Sequence, residues 1–160
     1  MRSFAFALLC LALCAPALAR DGLGVFGDWA AFRDPQVPRC YAIAAASNAA
    51  PDGAPFASIG TWPKRQVRGQ VHVRLSRELA PAARVRLTLG GQAFALTGSG
   101  ADAWAQDRRD DAAIVAAMRS ARTMSVIATD RTGRRFTDRY TLDGAATAMD
   151  AATVGCARIR

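Results

Sequence analysis

The sequence predicts a mostly β domain, a single antiparallel β-sandwich or barrel-like fold carrying two short α-helices. Three observations predict it. Residues 70–77, QVHVRLSR, alternate strictly between apolar and polar, the period of a half-buried strand. Residues 84–98, RVRLTLGGQAFALTG, hold two alternating runs around Gly90-Gly91, a hairpin signature. Residues 123–130 and 134–142 form a second such pair around Asp130–Gly133. Short strands joined by turns, with few helices, make an antiparallel two-layer or barrel-like architecture.

The N-terminal segment is expected to be removed. Arg2 precedes the apolar run FAFALLCLALCAPALA, which ends in Ala17-Leu18-Ala19. A positive start, a short apolar stretch and a small-x-small site define a secretory signal peptide. The run is shorter than the ~20 residues a spanning helix needs. Residues 1–19 are therefore expected to be removed, leaving one domain over 20–160 with no integral span. Lipoprotein processing at Cys14 is the rival, but Leu11-Ala12-Leu13 place a bulky Leu where a small residue is wanted.

Cleavage removes Cys10 and Cys14 and leaves Cys40 and Cys156. Two cysteines in an exported chain read as one disulfide, with two free thiols as the alternative. Two cysteines and the distant His72 fall short of a zinc ligand set.

Along the chain, GDWAAFRD (27–34) and RCYAIAAAS (39–47) read as strands flanking a turn at Pro35–Pro38. Residues 48–66, NAAPDGAPFASIGTWPKRQ, are rich in Pro and Gly and read as a loop with one short edge strand at Phe56–Ile59. In the strand 70–77, Val71, Val73 and Leu75 share the apolar face, and Gln70, His72 and Arg74 the polar one. The Gly90-Gly91 turn pairs Leu89 with Gln92, Leu87 with Phe94 and Val85 with Leu96. A slip by one residue would expose the apolar set.

RDDAAIVAAMRSAR (109–122) reads as a helix, with Asp110 and Asp111 at its start and Arg119 and Arg122 near its end, as the helix dipole favours. Ile114, Val115 and Met118 form its apolar stripe. Residues 144–155 make a second helix. Ala145, Ala148, Met149, Ala152 and Cys156 share its buried side.

The sequence carries no catalytic, metal or cofactor constellation. His72 is the only histidine and is expected on the surface among arginines, without the orienting carboxylate and nucleophile that catalysis needs. Asp107, Asp110 and Asp111 do not have calcium-loop spacing, and helix capping explains two of them. Asp138 shares a face with Phe136 and Tyr140. It is expected to point inward and to be hydrogen-bonded.

The chain carries a formal charge of +8. Lys64, Arg65, Arg68, Arg74, Arg77, Arg84 and Arg86 fall within 23 residues with only Glu78 opposing. Arg74, Arg84 and Arg86 are expected to line one sheet face that attracts an anionic envelope component or a protein partner. Export argues against nucleic acid.

Several short stretches, taken in order, carry a family resemblance. GDW at 27–29, RCYA at 39–42, FAL at 94–96, AWA at 103–105, IVAAMRSARTMSV at 114–126 and DRYTLDGAATAM at 138–149, followed by Cys156, resemble the invasion-associated locus B family. The resemblance covers essentially the whole chain after residue 19. Thr141 stands where the family's D-x-Y-S-L-x-G pattern has Ser, and the 48–66 stretch is individual. The resemblance implies an exported β-rich domain, periplasmic or surface-associated, of a kind linked in pathogens to host-cell invasion. It supplies no catalytic residues. Trp29, Trp104 and Tyr140 match the family and are expected in the core.

The reading is thus a non-catalytic exported envelope protein that binds or supports. Two alternatives stay open: a periplasmic enzyme centred on a carboxylate such as Asp138, and a secreted inhibitor presenting the 48–66 loop with Trp62 exposed.

Overall fold

The computed structural model describes residues 20–49 and 54–157. The signal-peptide expectation for 1–19 lies outside them. Among the described residues, ten strands form one antiparallel sheet that does not close, with two α-helices: a mostly β, sandwich-like fold. Its strands are β1 (Asp21–Phe26), β2 (Trp29–Asp34), β3 (Arg39–Ala45), β4 (Phe56–Trp62), β5 (Val67–Arg74), β6 (Val85–Leu89), β7 (Gln92–Ser99), β8 (Asp102–Ala105), β9 (Thr123–Thr129) and β10 (Arg135–Thr141). The helices are α1 (Arg108–Met118) and α2 (Ala145–Ala157). Spatial order is β1-β2-β3-β4-β5-β8-β7-β6-β9-β10.

Local pattern explains most of this. The Gly90-Gly91 turn takes φ values of 49° and 86°, and the pairs Leu89 with Gln92, Leu87 with Phe94 and Val85 with Leu96 form as expected. Val71, Val73 and Leu75 are buried. β9 and β10 pair around the expected turn, Tyr140 opposite Met124 and Asp138 opposite Val126. In α2 the expected stripe of Ala145, Ala148, Met149, Ala152 and Cys156 is buried.

One strand expectation is corrected. Residues 56–62 are not a short edge strand in a loop. They form β4, a seven-residue strand between β3 and β5. Its alternation is masked by small residues: Ala57 and Ile59 face the core while Ser58 faces outward. At the start of α1 the N-cap is Asp107, which accepts from the amides of Arg109 (2.8 Å) and Asp110 (2.9 Å). Asp111 instead reaches across to β5, where its Oδ1 accepts from the Val71 amide at 2.7 Å. Burial of this carboxyl raises its pKa.

The sheet curls so that its inner face, covered by α1 and α2, encloses the core. Trp29, Leu87, Leu89, Ile114, Met118, Met124 and Tyr140 are all almost fully buried there. The curl brings β10 back toward the β2–β3 end. Asn48 then acts as a strand partner: its Oδ1 accepts from the Arg139 amide (2.8 Å) and its Nδ2 donates to the Thr137 carbonyl (2.9 Å). The Trp29 indole donates to the Thr141 carbonyl at 3.0 Å. Cys40 on β3 and Cys156 on α2 form the expected disulfide, with Cα atoms 5.6 Å apart.

Candidate functional site

Alternation sends every second residue of β3, β4, β5 and β8 to the outer face of the sheet, away from the helices. Many of those residues are rings. Tyr41 comes from β3, Phe56 and Trp62 from β4, His72 from β5 and Trp104 from β8. Together with Arg20 and Arg39 they line a groove of about 440 Å³.

Register sets the contacts. His72 lies opposite Ser58 on one side and opposite Trp104 on the other. The imidazole stacks on the Trp104 ring, centroids 5.2 Å apart and planes 19° apart, and meets Phe56 edge-on at 5.5 Å. Tyr41 stacks on Phe32 at 5.6 Å, and the Arg39 guanidinium lies 4.8 Å over the Tyr41 ring, within cation–π range. The Trp62 ring lies across Gly60, where a Cβ would come within 2.5 Å of it. Gly60 is thus the residue that lets Trp62 lie flat along the groove.

The charges are partly matched. His72 Nε2 lies 2.9 Å from Asp102 Oδ1, and Arg74 Nη1 donates to Asp102 Oδ2 at 2.6 Å. A carboxylate can only accept, so Nε2 carries the hydrogen. Asp34 Oδ2 lies 3.7 Å from Arg39 Nε and 4.0 Å from Arg20 Nε. Arg39 Nε is buried without a hydrogen-bond partner among the described residues. Ser58 Oγ makes no hydrogen bond to His72 among the described residues. The Asp102 contact holds the imidazole in place.

The expectation of an exposed surface His72 is corrected. Its side chain is 24% exposed, carboxylate-paired and packed between rings. The cause is β8, which enters the sheet between β5 and β7 and carries both Asp102 and Trp104. Trp104 is likewise corrected: it lies in the groove, whereas Trp29 and Tyr140 are core residues.

The basic residues do not form one patch. Arg74 and Arg86 share the outer face, but β8 and β7 separate their strands, a distance of roughly 14 Å at ~4.8 Å per strand. Arg84 and Arg86 border a different hollow, with Ala95, Thr97 and Gln106. Lys64 and Arg65 sit on a 3₁₀ turn after β4. Arg68 borders a cleft on the helix side of the sheet. Arg77 pairs with Asp130 at 2.8 Å. Arg74 and Arg86 thus share a face of the sheet as expected, but β8 and β7 keep them apart.

Asp138 is 2% exposed, and its Oδ2 accepts from the Ser76 amide at 2.9 Å, the structural role expected. Tyr140, next on the same face, is buried with its hydroxyl unpartnered among the described residues, and burial raises its pKa. Trp62 is half-buried in the groove, on a strand and not on a presented loop.

The groove was legible only in part. The parity of Tyr41 with Ile43, of Phe56 with Ser58, and of Asp102 with Trp104 marks these residues as outward-facing. Their meeting depends on strand order. No family model matches the chain, and comparison with curated proteins and with solved structures finds no match.

Proposed function

We propose that this chain is a non-catalytic exported binding protein of the cell envelope, similar to the invasion-associated locus B family, and that the aromatic groove is its binding surface. One observation carries the reading: rings from four strands meet on the outer sheet face, where no second layer of the described chain covers them. Concave sites with rings and a few placed polar groups are the usual form of a ligand site. Arg20 and Arg39 in its lining, on a chain of charge +8, favour an anionic envelope component whose ring-bearing part stacks on the groove. The Cys40–Cys156 disulfide fits an oxidising compartment, periplasmic or outer-surface. A non-catalytic role suits a histidine held by Asp102 and stacked on Trp104, facing a serine to which it makes no hydrogen bond.

The test is co-sedimentation of the purified, disulfide-bonded protein with isolated envelope across a salt titration. Binding is expected to weaken with salt. Trp104→Ala is expected to weaken it about tenfold, roughly the loss of one stacked ring. Arg84→Glu with Arg86→Glu is expected to leave it largely unchanged. If Trp104→Ala sediments like the parent, the groove is not the binding surface.

A further inference from the structure

On the opposite side of the sheet, α1 and α2 both lie on the inner face but do not pack closely on each other. Between them a cleft of about 440 Å³ opens over β4 and β5, a volume in the range of small-molecule sites. Much of its wall is apolar, from Ile59 of β4, Val115 of α1, and Met149, Ala152 and Cys156 of α2, with Thr61 and Thr153 among them. Met149 has the adaptable side chain that suits a flexible apolar guest.

The mouth is cationic. Arg68 borders it and makes no ion pair among the described residues. The 3₁₀ turn that forms one edge carries Lys64 and Arg65. Arg119 at the end of α1 spans to Asp150 on α2, with contacts of 2.7 and 3.3 Å. That pair bridges the two helices and leaves Arg68 as the unneutralised charge beside the opening. Gln66, also on the edge, is held at φ 54° and ψ 28° with its amide bonded to the Pro63 carbonyl at 3.1 Å. A non-glycine residue in the left-handed region costs energy and often marks a site that needs that backbone shape.

We infer that this cleft binds a single-chain anionic amphiphile, with its alkyl chain between α1 and α2 and its acidic head group at Arg68. The apolar walls would take the chain without a polar partner. The mouth, with Arg68 unpaired among the described residues and Lys64 and Arg65 on the adjoining turn, selects a negative head over a neutral or positive one. The proposal is independent of the aromatic groove, which faces the other side of the sheet.

The experiment is calorimetric titration of the purified, disulfide-bonded chain with dodecanoate, below its micelle concentration. Dodecyltrimethylammonium serves as the cationic comparison. Saturable binding of one dodecanoate per chain is expected, with dodecyltrimethylammonium weaker by about fivefold or more. Thr153→Trp places a large ring over the cleft from an exposed position and is expected to abolish dodecanoate binding, with an unchanged thermal melt reporting an intact fold. Arg68→Gln is expected to weaken dodecanoate roughly threefold to fivefold. Trp104→Ala, in the groove, is expected to leave it unchanged. Absence of saturable dodecanoate binding overturns the proposal. So does full binding by a folded Thr153→Trp protein, equal binding of the two head groups, or loss of binding in Trp104→Ala.

Discussion

Asp130 shows how much one carboxylate organises. Its Oδ1 accepts from the Thr132 hydroxyl (2.6 Å) and from the amides of Thr132 (2.9 Å) and Arg134 (3.0 Å), while its Oδ2 accepts from Arg77 (2.8 Å). The Thr132 hydroxyl first, and then the Arg77 guanidinium, hold this carboxyl well below the usual carboxylate range. A depressed folded value means that the native state binds its proton less readily than the unfolded chain. The contribution is therefore present above the unfolded value of about 3.9 and is lost as pH falls through the lower folded value. Asp130→Asn is expected to lower the melting temperature at pH 7, and the gap to the parent should close as pH drops from about 4 toward 2. A gap that stays constant over that range would mean that Asp130 acts through shape alone.

Among the elements, the joint between β10 and α2 is the tightest. Gly144 adopts φ +79°, and a Cβ there would fall 1.8 Å from the Phe26 carbonyl oxygen. This is where the turn between β1 and β2 touches the start of α2, with the Asp28 amide donating to the Asp143 carbonyl at 3.2 Å. Gly133 has the same φ of +79° but open space where its Cβ would be. The two positions separate backbone strain from contact. Gly133→Ala is expected to cost about 1 kcal/mol, the left-handed penalty. Gly144→Ala is expected to cost more than about 3 kcal/mol in urea unfolding, because backbone must move. Equal costs would show that the joint yields freely.

Across the whole molecule, the Cys40–Cys156 disulfide links residues 116 apart and ties α2 to β3. Constraint of so long a loop in the unfolded chain stabilises by about 4–5 kcal/mol on the chain-entropy account. Reduction, or Cys40→Ala with Cys156→Ala, is expected to lower the unfolding free energy by about that amount in urea titration. An unchanged midpoint on reduction would show that the curled sheet holds its ends together without the crosslink. Cys156, one half of that bond, lines the cleft between the helices, so loosening α2 is also expected to disturb that cleft.

What could be read without coordinates was local or a matter of counting. The register of β6 with β7 follows from a two-residue glycine turn and the two-residue period of a strand. The buried stripe of α2 follows from helical spacing. The cystine follows from an even pair. β1, β8 and the full length of β4 escaped because Gly, Ala and Ser at outward or inward positions blur the alternation that marks a strand. The strand order escaped for a deeper reason. That β8 lies between β5 and β7 depends on which packing buries the most apolar surface of the whole chain, and no short segment encodes it. That one adjacency places Asp102 and Trp104 beside His72, builds the groove and separates Arg74 from Arg84 and Arg86. Side-chain type and facing were thus determined by the sequence itself, while the company each side chain keeps was decided by tertiary structure, because contacts between distant strands are settled only by the energy of the assembled core.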